Sequence, residues 1–202
     1  MKKIILAVAS VLALGLFASC QREISGDLNV NETTFGATQT VYTYTDFDVT
    51  GTITDTTKVT RKVGTADATT ETTVTTKTPY GKIERRIEKR RVDGDNRTLI
   101  SFCGKYNRKQ VYTPAGSTTS TTTVTDRSNW NHDDPIIRVK KVNGAYYIHD
   151  TKADVQVEGD TVTIKCTLTD SETATTGDGT AAGNTVTTTE RTAVYDLTLT
   201  KR

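Results

Sequence analysis

From Gln39 to the end of the chain, side chains keep a period of two. Val41, Thr43, Thr45, Phe47 and Val49 alternate with Tyr42, Tyr44, Asp46, Asp48 and Thr50, and that period belongs to an extended strand with two unlike faces. The pattern returns over Ile53 to Val63, Thr72 to Thr78, Arg97 to Thr113, Thr121 to Thr125, Ile136 to Asp150, Val155 to Leu168 and Thr185 to Thr200. Threonine makes up about a fifth of the chain. Its branched, hydroxylated side chain suits the wet face of a strand. Asp93-Gly94-Asp95-Asn96, Asn143-Gly144 and Glu158-Gly159-Asp160 are tight-turn sequences. Small-residue tips near residues 65, 117 and 178 separate the other strands. No link is long enough for a helical crossover. The expectation is an all-β domain: one antiparallel meander of about eight to ten strands, closed as a barrel or folded as a sandwich.

One segment is compatible with two periods. Lys82 to Val92 is charged enough for a helix, and Ile83 and Ile87 stand four apart. Read as a strand and joined to the next by a four-residue turn, it places Ile87 opposite Phe102 and Ile83 opposite Tyr106, a coherent apolar face. The strand reading is adopted.

The first twenty residues carry a different signal. Met1-Lys2-Lys3 precedes an apolar run from Ile4 to Phe17, too short to span a bilayer comfortably and built like an export signal. The small residues that follow end at a cysteine. Ala18-Ser19-Cys20 resembles the lipobox of bacterial lipoproteins, with Phe17 where that family usually has leucine and Leu16 one place earlier. The resemblance implies cleavage before Cys20, acylation of its thiol, and attachment to an envelope membrane, the outer membrane before others, facing periplasm or exterior. Two or three acyl chains, at about 0.8 kcal/mol per buried CH₂, hold a protein stably. The expected organisation is a signal peptide over 1–19, the lipidated cysteine and a polar tether over 20–38, and the β domain over 39–202.

With Cys20 acylated, Cys103 and Cys166 remain. An oxidising compartment would permit a disulfide between them. Alternation opposes it. Cys166 shares a face with Val162, Ile164 and Leu168, whereas Cys103 lies on the face opposite to Ile100 and Phe102.

Net charge is +2, too balanced to point to nucleic acid. A cluster of cations over Arg85, Arg86, Lys89, Arg90 and Arg91 would suit an anionic glycan or lipid headgroup, or serve as a solvated face that keeps strands from aggregating. The loop holding Trp130 and His132 would suit contact with a sugar or protein partner. Alternatively, the Trp130 ring packs as a cap on one end of the barrel. One loop supplies too few convergent ligands for a metal, and His149 is expected to be exposed beside Arg138. No nucleophile constellation or phosphate-cradling loop stands out, so no catalytic residue, cofactor or metal is assigned.

Function is therefore expected to be non-enzymatic: a lipid-anchored, extracytoplasmic protein that binds a glycan, lipid or protein, or has a structural surface role. The alternative is a carrier, since an up-and-down meander is weakly similar to the lipocalins, whose barrels hold a small apolar ligand. The lipocalin Gly-x-Trp near the first strand is missing here.

Overall fold

The computed structural model describes residues 39–92, 95–131, 134–177 and 182–202, with the side chains of all of these except 39–44 and 89–96. The chain divides into Met1–Asn31 and Glu32–Arg202, and every described residue belongs to the second unit. Cys20 and His132 lie outside the described residues.

Ten strands follow one another: β1 (Gln39–Val63), β2 (Thr69–Val92), β3 (Asp95–Thr113), β4 (Thr121–Asn129), β5 (Ile137–Val142), β6 (Ala145–Ile148), β7 (Thr151–Lys152), β8 (Asp154–Glu158), β9 (Thr161–Thr176) and β10 (Thr185–Lys201). They form a single antiparallel sheet, β7-β6-β5-β3-β2-β1-β10-β9-β8, with β4 paired to β3 beside this path. Most strands pair with a neighbour in sequence, except that β4 and β5 both pair with β3 and that β7 and β8 do not pair with each other; β1 pairs with β10 from Phe47↔Lys201 to Val63↔Thr185. The two ends of the path, β7 and β8, are joined through Ala153 alone, which is buried. The Cys166 thiol donates to the Lys152 carbonyl at 3.8 Å, bringing β9 beside β7. The result is a nearly closed barrel.

The interior follows from alternation. Phe47, Val49 and Ile53 of β1 face inward, with Ile83 and Ile87 of β2, Ile100 and Phe102 of β3, Val139 of β5, Val162 and Ile164 of β9, and Leu197 and Leu199 of β10, all buried. The Phe47 and Phe102 rings meet edge to face at 6.2 Å, the arrangement that aromatic quadrupoles favour.

Lys82–Val92 is strand, as the apolar pattern requires, but in another register. Ile87 stands opposite Ile100 and Ile83 opposite Gly104, not opposite Phe102 and Tyr106. Only residues 93 and 94 separate β2 from β3. A two-residue connection in place of four slips the pairing by two, which keeps every side chain on its expected face. Gly104 fits the close approach of the two strands there, since a Cβ would meet the Lys82 carbonyl oxygen at 2.9 Å and displace the tip of Ile83.

β1 and β2 part briefly. Their pairing lapses between Asp48↔Lys82 and Ile53↔Lys77, where Pro79 has no N–H to offer. Gly51 sits at φ +99°, with the Asp196 carbonyl where its Cβ would be.

Past this point β1, β2, β3, β9 and β10 continue well beyond the apolar interior, and β4 joins them. The extension is a six-stranded ribbon ordered β4-β3-β2-β1-β10-β9. Threonine dominates it. Thr70, Thr60, Thr188 and Thr173 form one row across four strands. The Thr60 and Thr70 hydroxyls lie 2.9 Å apart, and those of Thr173 and Thr188 lie 3.1 Å apart.

Candidate functional site

Where the ribbon leaves the barrel, the inward-facing row changes character. The last row of the interior is Ile53, Tyr195 and Cys166; the next is Asp55, Ala193 and Leu168; the next is Thr57, Arg191 and Asp170. Charged side chains thus stand on the parity that buried apolar ones held two residues earlier. Opposite them lies the turn from β6 into β7, where His149 takes φ +52° and redirects the chain. A cleft of about 620 Å³ opens between the turn and the ribbon, lined among others by Asp55, His149, Asp150, Leu168, Asp170 and Arg191. A second hollow of about 350 Å³ shares His149 and takes in Lys77, Asp134, Arg138, Lys140 and Tyr195.

Several of these groups are fixed by ion pairs. Lys77 Nζ lies 3.7 Å from Asp55 Oδ2, and Lys140 Nζ donates to Asp150 Oδ1 at 3.2 Å. Between the two hollows, burial first and then the Asp55 carboxylate push the Tyr195 phenol up from 10.0 to about 12, so it remains a neutral donor. The cleft therefore presents an apolar floor of Leu168 and Ala193 beneath carboxylates, a guanidinium and an imidazole. Such a lining hydrogen-bonds a polar, hydroxyl-bearing molecule while packing against its carbon skeleton. Among the described residues, no group of three or more His, Cys, Asp or Glu is placed to hold a metal ion.

The basic cluster is divided between faces. Arg85 is fully buried on the inner side. Its guanidinium lies 5.4 Å from the centre of the Phe47 ring, and Nη2 donates to Thr45 Oγ1 at 3.2 Å. Arg86 projects from the opposite face, since adjacent residues of a strand must. The backbones of Lys89, Arg90 and Arg91 continue β2, with Arg90 opposite Arg97.

Cys103 and Cys166 are both buried and are not joined by a disulfide. Opposite faces account for this. Cys166 points inward. Cys103 points outward and is covered by the segment leaving β4, where its thiol donates to the Asn131 carbonyl at 3.5 Å. Trp130 is not a packed cap: it is 45% exposed, because β4 departs from the barrel path and leaves the following ring outside the wall. His149 and Arg138 do not pair across the hairpin, since β6 ends at Ile148, but both line the second hollow.

Asp55, Asp170 and Arg191 were missed as site residues on sequence grounds. The available signal was a charged residue on inward parity, at the place where each strand outlasts the apolar core. Comparison with known protein families, with curated proteins and with solved structures found no match for this chain.

Proposed function

We propose that this protein is a lipoprotein, acylated at Cys20 and held at an envelope membrane, whose β domain binds a polar, glycan-like ligand without transforming it. The observation that carries the binding reading is the division of space in the barrel. Phe47, Arg85, Ile100 and Phe102 fill its interior at 0–1% exposure, while the open volume lies at the mouth between charged groups. A lipocalin-like carrier needs the opposite arrangement, an apolar interior left free for its ligand. The anchor reading rests on the sequence from Met1 to Cys20 alone.

Two measurements test this reading. Cells fed an alkyne-bearing palmitate should label the full chain, and Cys20→Ala should remove the label; persistence of the label in that variant would rule out Cys20 as the anchor. Saturation-transfer NMR with neutral oligosaccharides should show contacts that Arg191→Ala weakens by about tenfold, the scale of one hydrogen bond made by a charged group. A lipid mass that native spectra of the purified protein retain and denaturation releases would instead establish the carrier.

A further inference from the structure

The ribbon has two open edges. β4 pairs with β3 on one side, and among the described residues no strand pairs with its other side. β9 loses its outer partner β8 after Asp154↔Lys165, so the residues beyond Cys166 offer one row of backbone donors and acceptors to solvent. Open edges are templates for another strand, and proteins ordinarily blunt them with charged side chains, lysine above all, with proline or with a bulge. Neither stretch contains a lysine or a proline: β4 reads TTTVTDRSN and 168–176 reads LTDSETATT.

The two edges also match each other. β4 has nine residues, and so does 168–176. β4 runs antiparallel to β9 within the ribbon, so a second ribbon laid alongside would continue the alternation of strand directions. Their charges are opposite. The β3–β4 edge carries Lys105, Arg108, Lys109 and Arg127 against Asp126, whereas the β9–β10 edge carries Asp170, Glu172 and Glu190 against Arg191. One antiparallel register uses all nine residues of each, placing Thr121 opposite Thr176, Thr125 opposite Glu172, Arg127 opposite Asp170 and Asn129 opposite Leu168. By their registers within the sheet, Arg127 and Asp170 stand on the same face. β4 also exposes apolar surface: Val124 is 64% exposed, and Trp130 follows the strand directly.

We infer that β4 of one copy adds to β9 of the next, joining the ribbons of successive copies of this chain into one continuous sheet. The contact is head-to-tail, so it leaves a free β9 at one end and a free β4 at the other, and it extends unless the rotation between copies closes a ring.

Cysteines at facing positions test it in the purified full-length chain. With Thr125→Cys and Glu172→Cys in the same chain, a short bismaleimide should give a ladder of multimers. Either substitution alone should give none, and a mixture of the two single variants should give dimers only. Dimers from Thr125→Cys alone would mean that like edges pair, and no products from the double variant would mean that the edges do not meet; either result overturns the inference. Sedimentation provides the independent reading. Arg127→Glu or Asp170→Arg should each weaken association about tenfold or more, as like charges brought together do. The two combined should restore it, with far-UV circular dichroism confirming that each variant is folded. Unchanged association in both single variants also overturns the inference.

Discussion

At the scale of single residues, two positions combine tight geometry with a clear expected outcome. Gly51 lies mid-strand at φ +99°, with the Asp196 carbonyl oxygen 2.1 Å from where a Cβ would stand. Both the backbone conformation and the contact oppose any side chain, so Gly51→Ala should cost on the order of 3 kcal/mol, read as a lowered urea midpoint with an unchanged slope. The second case concerns protons. Burial first, then the Glu84 carboxylate, push the Cys103 thiol up from 9.0 to about 11, and the Tyr195 phenol rises from 10.0 to about 12. In the unfolded chain both groups lose their protons at the ordinary values. The folded state thus holds more protons above pH 9.0, and stability should fall as pH rises through this window. Below it, these two groups should contribute no slope. Urea midpoints at about pH 8, 10 and 11 would show the decline, and a flat profile would contradict it. Up to about pH 10 the folded Cys103 should resist alkylation, because the reactive thiolate is scarce and covered.

At the scale of elements, the long strands consist of two unlike halves. Near the barrel, inward side chains are sealed: Ile53, Ile83 and Leu197 are each no more than 1% exposed. In the ribbon, threonine faces water, and opening costs little apolar burial. Hydrogen exchange should therefore protect 47–53 and 195–199 far longer than 57–63 and 185–191 of the same strands. Uniform protection along β1 would show that the ribbon is covered in solution. This division also explains what was legible in the sequence. Period and turn residues marked the strands, because alternation and turn geometry are local. The two-residue slip between β2 and β3 was not legible, since Asp93-Gly94 and Asp93 to Asn96 make equally acceptable turns and both keep Ile83 and Ile87 inward. Nor was the cleft: Asp55, Asp170 and Arg191 come together only because distant strands share a register, and His149 reaches them by a turn that the hairpin pattern did not contain.

At the scale of the whole molecule, closure depends on strands far apart in sequence. β1 is held on one side by β2, its neighbour along the chain, and on the other by β10. The Arg202 Nε donates to Asp48 Oδ1 at 2.8 Å at the end of that seam. Removing 185–202 takes away Leu197 and Leu199 and exposes the edges of both β1 and β9. Such a fragment should lose its cooperative thermal transition and aggregate, as followed by calorimetry and light scattering; a sharp transition would show that the barrel closes without β10. Pairings of such long sequence separation also make folding slow, on the order of milliseconds to seconds. The seam between β1 and β10 thus places a constraint on biosynthesis. A growing chain displays β1 with one side unsatisfied for as long as it takes to make everything up to β10. The barrel closes only after β10 has emerged, so the unpaired side of β1 is open to wrong strand partners throughout that interval.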